Sequence, residues 1–289
     1  RALSDEVMLS VFRWLPKLTL AHCMMVCKRW YRVACDETLW QRLDLGNKTL
    51  SKDALGRILT RKPVIVRLAS SEIAEWRPTT QPEPSRIQFL DLSMATMDTT
   101  TLNHLLLRCP LLKKLSLENL PLEYSTCELI GKFRIEYNFI NNEIKICVRI
   151  FSLQSLNISW CNLSEESLQL LVTSLPSRLQ RLNLGGARLI TDEMVEALVM
   201  RCPRLLELDL SDCSRLSNGT VNSVIGLSRL EHLALSRCYL LPAVTLAYIF
   251  KLLFVWEGER PLPSSGTYAI ARPTVGTRRT SIWGLRTRD

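Results

Sequence analysis

The sequence predicts an α/β fold in which an N-terminal three-helix module is followed by a curved solenoid of strand–helix repeats. Parallel strands line the concave face of the predicted solenoid, and helices cover the outside. Two observations support this fold. A leucine frame recurs along most of the chain, and about 43 residues before it are rich in apolar side chains without showing the frame. Hydrophobic residues make up 47% of the 289 residues, which is enough for a continuous core.

The repeat has the form L-x-x-L-x-L. Its third apolar residue falls at positions 92, 117, 158, 184, 210 and 235, so successive copies are 25, 41, 26, 26 and 25 residues apart. A period of 25–26 residues lies within the range of leucine-rich repeats, in which each repeat buries its apolar side against its neighbours. The frame therefore predicts a stacked array rather than a single compact core.

Each repeat is predicted to contain a short strand and an amphipathic helix. The alternating leucines indicate a strand with one buried face. The helical spacing of Leu168, Leu171 and Leu175 predicts a helix over 163–176. Met194, Ala197 and Leu198 predict a second over 190–203. Prolines end these helices and separate the repeats, at Pro110, Pro176 and Pro203.

A second frame, L-x-hydrophobic-S-x-C, ends three of the strands. Its cysteines, Cys161, Cys213 and Cys238, are predicted to point into the core as small buried residues. The residue before the cysteine is Trp160, Asp212 or Arg237. These positions are predicted to lie at the rim of the concave face, where the strands end, and their variation predicts that this rim contacts a partner. Two interpretations of the rim charges remain open, because a lone Asp or Arg at this position is also typical of a solvated surface. Trp160 favours the contact surface, since large apolar side chains on an open face are often binding residues.

The repeat of 41 residues contains an irregular stretch. Residues 123–152 include alternating apolar residues on both sides of Asn141-Asn142, which predicts a β-hairpin. The segment is either an insertion or a faulty stretch of the gene model. It is expected to be the least ordered part of the array.

The N-terminal residues predict three short helices. Ser4 is expected to cap the first helix ahead of Asp5 and Glu6, and Pro16 to end it. A second helix is expected over 20–35. A module of this size cannot bury so many apolar side chains by itself, which indicates that it shares a core with a partner.

The composition excludes several kinds of function. The ten cysteines contain no C-x-x-C pair and there are only three histidines, so we expect neither a metal site nor another cofactor. We also expect that the protein resides in a reduced compartment. No apolar run reaches the ~18 residues of a membrane span. The net charge of +9 is spread along the chain, so we do not expect nucleic-acid binding. The chain also lacks the common motifs of hydrolases, metalloproteases and nucleotide-binding enzymes, so we expect no catalytic site.

The C-terminal segment contains five arginines between Ala271 and Asp289, which either bind an anionic partner or form a solvated, partly disordered end. Ser281 follows two arginines and a threonine and is a candidate phosphorylation site.

The stretches "LSDEVMLSVF" and "VCKRWYRVACDETLW" resemble an F-box, with Ser4 where that family usually has proline. The resemblance implies that the module binds the adaptor of an SCF ubiquitin ligase and, through the adaptor, cullin. The residues implied as adaptor contacts are Leu3, Val7, Leu9, Phe12, Leu15, Val26, Cys27, Trp30, Leu39 and Trp40.

An F-box followed by cysteine-containing repeats, together with "LALSRCY" and "ARPTVGTRRTSIWGL", resembles the S-phase kinase-associated protein two family of F-box/leucine-rich-repeat proteins. This resemblance implies a nuclear and cytoplasmic substrate receptor that recruits phosphorylated cell-cycle proteins, such as an inhibitor of cyclin-dependent kinases (CDKs). It implies that a small CDK-subunit accessory protein is held on the concave face by Trp160, Arg188, Asp212, Arg237 and Tyr239. The last repeats of that family are missing here, which predicts impaired recruitment. A leucine-rich-repeat scaffold or inhibitor without a ligase partner is the alternative.

The predicted organisation is an F-box over 1–45 and a linker or atypical first repeats over 46–86. Repeats over 87–122 and 153–254 flank the irregular segment 123–152, and a basic tail occupies 255–289.

Overall fold

The computed structural model describes residues 3–77, 84–131, 153–242 and 269–271. The chain divides into two compact units, residues 1–112 and 113–289. Each unit contains parallel strands and α-helices, which confirms the predicted α/β class with an N-terminal helical module and repeats.

The first unit begins with helices α1 (Asp5–Phe12), α2 (Lys17–Val26) and α3 (Lys28–Ala34) and a 3₁₀ turn (Glu37–Leu39). Strands β1 (Arg42–Asp44), β3 (Ile65–Arg67) and β5 (Phe89–Asp91) pair in parallel. Two short strands, β2 (Thr49–Leu50) and β4 (Glu72–Ile73), form a second parallel pair. Helices α4 (Ala54–Thr60) and α5 (Thr99–Leu107) complete the unit.

The second unit repeats one strand–helix plan. Its strands β6 (Lys114–Ser116), β7 (Ser155–Asn157), β8 (Arg181–Asn183), β9 (Glu207–Asp209) and β10 (His232–Ala234) run parallel and in register. The helices α6 (Tyr124–Gly131), α7 (Glu165–Ser174), α8 (Asp192–Arg201) and α9 (Asn218–Ile225) each pack on the next. A last strand, β11 (Ala269–Ala271), pairs antiparallel with β10.

The leucine frame forms the core, as predicted. The central leucines Leu156, Leu182, Leu208 and Leu233 face each other in register across four strands and are all buried. Because the core repeats at every step, each repeat requires the same apolar residues.

Strands of the array also occur before residue 87. Trp40, Leu43 and Leu45 occupy the three frame positions around β1, and Pro63, Val66 and Leu68 occupy them around β3. The β3 copy lies within residues 46–86, which were predicted as a linker or atypical first repeats, and the β1 copy lies inside the range predicted as the F-box. Neither copy matches the leucine frame fully, because its first position is not leucine.

Two predicted helix boundaries in the N-terminal module were wrong. The expected helix over 20–35 is divided at Cys27, whose backbone is extended (φ −162°, ψ 166°) and whose sulfur accepts from the Trp30 backbone N–H at 3.5 Å. The apolar spacing continues across Cys27 at a helical period, so the sequence contains no signal for the break. The first helix ends at Phe12, and Pro16 is the N-cap of α2.

The predicted insertion over 123–152 was wrong in its first part. Residues 124–131 form α6, which packs on α7 through buried Cys127 and Ile130. The spacing of leucines did not reveal this helix because a cysteine and a threonine, Thr126, occupy buried positions. The predicted hairpin lies outside the described residues.

Candidate partner-binding surfaces

The strands β7, β8 and β9 of the second unit lead into the same hydrogen-bonded turn. The side chains of Asn157, Asn183 and Asp209 end their strands, and each accepts a hydrogen bond from the backbone N–H two residues later at 3.1, 2.8 and 2.9 Å. This Asx turn stabilises the strand end locally, so the chain leaves the sheet in the same direction in each of these repeats.

The residue that follows each of these three turns, and the equivalent residue after β10, has a left-handed backbone conformation. Trp160, Gly186, Asp212 and Arg237 have φ values of 59°, 77°, 60° and 58°. We call these four residues the turn row. The backbone N–H groups of the first three each donate, at 2.8 Å, to a carbonyl in the following repeat. The turn row therefore places the side chains of Trp160, Asp212 and Arg237 at equivalent positions, as predicted, with glycine at the position between the first two.

The cysteine after the turn row belongs to the core. Cys161, Cys213 and Cys238 are buried, and their thiols donate to the carbonyl oxygens of Leu117, Leu184 and Leu210 at 3.0, 3.6 and 3.1 Å. Burial raises the pKa of the Cys161 thiol to about 12 and also raises the pKa values of the other two. These thiols are therefore neutral packing groups, as the sequence predicted, and not nucleophiles.

Trp160 is partly exposed and lies against Gly186. The tryptophan has 41% of its surface accessible. A Cβ atom added at Gly186 would lie 2.6 Å from Cε3 and 2.7 Å from Cδ2 of the indole. Position 186 therefore favours glycine for two reasons: its backbone is left-handed, and the indole ring lies too close for a Cβ atom. The glycine supports one face of the indole and leaves part of the ring available to a partner.

The charges of Asp212 and Arg237 are paired with each other. The guanidinium of Arg237 donates to a carboxylate oxygen of Asp212 at 2.5 Å. The aspartate side chain is largely covered (18% exposed), whereas the arginine side chain is 57% exposed. The hydrogen bond to Asp212 raises the pKa of Arg237. A partner therefore meets a joined acid–base pair and not two independent charges.

The remaining predicted rim residues lie two positions beyond the turn row. Arg188 and Tyr239 are both exposed and follow Gly186 and Arg237 by the same interval. The structure thus places all five predicted residues on the segments that follow β7, β8, β9 and β10.

Gly186 and the strand-face pair of Arg181 and Glu207 were not predicted as site residues from the sequence. Arg181 donates to Glu207 at 2.9 Å, and Glu207 is buried. The recurring Asn or Asp three residues before the turn row was a visible signal for the turn and for its left-handed position.

The N-terminal module exposes a cluster of apolar side chains. Among the predicted adaptor contacts, Leu3, Val7, Val26, Cys27 and Trp30 are exposed. Helices α1 and α2 both pack on α3, so one small helical group carries these residues. The prediction omitted further exposed residues, namely Val11, Trp14, Leu18, Met25 and Tyr31. Leu9 and Leu15 are intermediate.

Three of the residues implied as adaptor contacts, Phe12, Leu39 and Trp40, are packed inside the chain. These residues are 3%, 2% and 8% exposed and belong to the chain's own core. The Trp40 ring N–H donates to the Ala34 carbonyl at 2.7 Å, and the Arg61 guanidinium lies 5.0 Å from the ring centre. The F-box pattern does not distinguish inward-facing from outward-facing apolar residues, so the implied set contains both kinds.

The part of the chain that the structure describes contains no group of three or more His, Cys, Asp or Glu side chains placed to hold a metal ion. Within the same residues no helix is long and apolar enough to cross a membrane. Ser281 and the five C-terminal arginines lie outside the described residues.

Comparison with known families matches both parts of the chain. A model of the SKP2 LRR domain matches residues 53–255, and a model of an F-box-like domain matches residues 5–46. The chain belongs to the SKP2-type leucine-rich-repeat family. The predicted resemblance to F-box/leucine-rich-repeat proteins is confirmed. The match of the repeat model includes residues 53–86, in agreement with the early strand β3.

Two relatives of this F-box/leucine-rich-repeat chain are demethylases by name. Lysine-specific demethylase 2A of Xenopus tropicalis is 37% identical over 75 residues, which are 26% of this chain and 6% of the relative. Lysine-specific demethylase 2B of Mus musculus is 26% identical over 245 residues, which are 73% of this chain and 18% of the relative. The chain therefore spans less than a fifth of either relative.

Solved structures with similar chains include LegL7, a leucine-rich repeat-containing protein of Legionella pneumophila. It is 14% identical with a TM-score of 0.41, covering 71% of this chain and 58% of that one. A chain from the yeast Rad7 and Elc1 complex is 14% identical with a TM-score of 0.40, and the match covers 85% of this chain and 79% of that one.

Proposed function

We propose that the chain is the substrate-recognition subunit of an SCF (cullin-RING) E3 ubiquitin ligase. Its F-box binds the SCF adaptor and thereby cullin, and the ubiquitin chemistry belongs to other subunits. The observation that carries this proposal is the cluster of exposed apolar residues on the F-box, including Leu3, Val7, Val26 and Trp30. A small module that exposes so much apolar surface is typical of a protein-binding site. The F-box and SKP2-type matches support a substrate-recognition role in general.

The finer part of the proposal concerns the repeats. The turn row and the two residues beyond it, Arg188 and Tyr239, bind a small CDK-subunit accessory protein. With that protein they recruit phosphorylated cell-cycle proteins such as a CDK inhibitor, in the nucleus and the cytoplasm. Trp160 supports this function because a partly exposed tryptophan, held against a glycine, has the character of an interface hot spot. The Asp212–Arg237 pair, at the equivalent positions after β9 and β10, supplies polar contacts along the same row.

The test of the finer proposal is Trp160→Ala. We expect accessory-protein binding to weaken by about 2 kcal/mol or more, with a small change in thermal midpoint because the ring is partly exposed. Met200→Ala is the matched control, since Met200 is an exposed large apolar residue on the helix α8. Equal affinities of the two variants would remove the turn row from the proposed interface. A large loss of stability in Trp160→Ala with unchanged affinity would show that the tryptophan is a packing residue.

A further inference from the structure

One residue departs from an otherwise uniform position at the strand ends. The residue that follows the third apolar residue of the frame is glycine, alanine or serine in seven of the eight copies, counting the two before residue 87. The copy that ends at Leu117 has Glu118 instead. A long acidic side chain at a position that is otherwise small indicates that its carboxylate has a specific contact to make.

The Glu118 carboxylate lies against the strand-end amide of the next repeat. Its Oε2 atom accepts a hydrogen bond from Nδ2 of Asn157 at 3.1 Å. Asn157 is 2% exposed, so its amide depends on protein partners for its hydrogen bonds. Because a carboxylate accepts hydrogen bonds and does not donate them, Glu118 holds the amide nitrogen toward itself and directs the amide oxygen of Asn157 the other way.

The amide oxygen of Asn157 closes the turn that leads to Trp160. It accepts from the Ser159 backbone N–H at 3.1 Å and from the Ser159 hydroxyl at 2.8 Å. The Ser159 carbonyl accepts from the Asn119 N–H at 2.9 Å, and the Trp160 N–H donates to the Gly185 carbonyl at 2.8 Å. A reversed amide at Asn157 would present its NH₂ group to the Ser159 N–H, and the turn would lose its acceptor.

This dependence on amide orientation distinguishes the turn after β7 from the turn after β9. Asp209 ends β9, and its carboxylate accepts from the Ser211 N–H at 2.9 Å. An aspartate presents an acceptor oxygen in either orientation, so it needs no neighbour to orient it. The asparagine in the repeat of Trp160 does need one, and Glu118 supplies the acceptor.

We propose that Glu118 is a positioning residue for Trp160. It fixes the Asn157 amide and thereby the turn from which the indole projects. This inference rests on the proposed function, because it assigns Glu118 to the surface that binds the accessory protein. Glu118 acts through Asn157, and its hydrogen bond rather than its negative charge carries the role.

The experiment uses the full chain and two readouts, the ¹⁹F NMR signal of 5-fluorotryptophan at Trp160, assigned with Trp160→Phe, and the affinity for the accessory protein. Glu118→Ala removes the acceptor, so we expect a shifted signal and roughly fivefold weaker binding, as for a displaced hot-spot side chain. Glu118→Gln keeps an acceptor oxygen and should match the wild-type chain in both readouts. Glu166→Ala is the matched control, since it removes an exposed glutamate on the helix α7.

An exchange of donor and acceptor tests the hydrogen bond itself. Asn157→Asp places a carboxylate against Glu118, so it should shift the Trp160 signal and weaken binding as Glu118→Ala does. In the combination of Asn157→Asp with Glu118→Gln, the glutamine amide donates to the aspartate and restores the bond in the opposite direction. We expect the combination to recover the wild-type signal and affinity.

The proposal is overturned if Glu118→Ala behaves like Glu166→Ala, or if the combination is no better than Asn157→Asp alone. It is also overturned if Glu118→Gln weakens binding as much as Glu118→Ala, because the charge would then act on the partner directly, or if the signal shifts while affinity stays unchanged. A wild-type chain that does not bind the accessory protein would refute the proposed function, whereas the Trp160 signal would still show whether Glu118 positions the ring. Thermal midpoints confirm that each variant is folded.

Discussion

Substitution of Gly186 by alanine tests whether the orientation of Trp160 matters for partner binding. The added Cβ would lie 2.6 Å from the indole Cε3 atom, whereas carbon atoms in contact are normally about 3.5–4.0 Å apart. The ring must therefore move by roughly 1 Å. Because Trp160 is 41% exposed, it has room to move outward without disturbing the leucine core.

The expected effects on stability and on binding differ in size. Alanine at a φ of 77° costs about 1–2 kcal/mol of stability. If Trp160 is a hot spot worth about 2 kcal/mol or more, a displaced ring loses about half of that energy, roughly fivefold in affinity. Gly186→Ala should therefore lower the thermal midpoint slightly and weaken binding of the accessory protein.

The assay combines isothermal titration calorimetry with ¹⁹F NMR of chain labelled with 5-fluorotryptophan, in which Trp160→Phe assigns the Trp160 signal. Gly185→Ala is the control. It adds the same methyl group one residue earlier, and the three atoms nearest to that methyl, in Asn183, Ser211 and Ser159, do not include Trp160. An unmoved Trp160 signal in Gly186→Ala would contradict the observed packing. A shifted signal with wild-type affinity would show that the ring's position is irrelevant to binding.

Three further variants separate stability from binding. The Asp192 carboxylate accepts hydrogen bonds from the backbone N–H (3.1 Å) and the hydroxyl (2.5 Å) of Thr220 at the start of α9. Burial by itself raises the pKa of Asp192, but these and other hydrogen bonds outweigh burial, so the pKa is lowered. Asp192→Asn should therefore lower the free energy of unfolding, measured by urea denaturation at pH 7, by about 1–2 kcal/mol. The difference from the wild-type chain should shrink as the pH falls below ~4, where the aspartate becomes protonated. A difference that does not depend on pH would exclude a role for the charge. Asp212→Lys should weaken accessory-protein binding, because it turns the ion pair between Asp212 and Arg237 into two positive charges. The loss of affinity should be smaller in added salt, and a loss that does not depend on salt would exclude an electrostatic cause. Cys213→Ser should lower stability by about 1–3 kcal/mol by burying a hydroxyl, and reduced affinity at unchanged stability would contradict its core position.

The repeat array was predictable because its core residues recur at a fixed interval. Leu156, Leu182, Leu208 and Leu233 must stack, so the sequence shows their positions directly. The cysteines after the turn row followed from the same regularity. The two copies of the frame before residue 87 were harder to recognise because Trp40 and Pro63 replace the first leucine.

Surface assignments were less predictable because they depend on packing between elements. Phe12 and Leu39 carry the same apolar chemistry as Val7 and Val26, yet the first two are buried and the last two are exposed. The pairing of Asp212 with Arg237 joins residues 25 positions apart and depends on the register between adjacent repeats. The break at Cys27 arises because the tertiary packing of α2 and α3 overrides a continuous helical pattern.

Co-purification of the full chain with the SCF adaptor tests whether the N-terminal module is the adaptor-binding site. We expect a stable one-to-one complex that Val26→Asp abolishes, because Val26 is 61% exposed on the apolar surface of the F-box. Leu240→Asp places the same charge at a similarly exposed leucine (58%) in the repeats and should leave the complex intact. A folded chain that forms no complex with the adaptor, or a complex that survives Val26→Asp unchanged, would contradict the assignment of the N-terminal module as the adaptor-binding site.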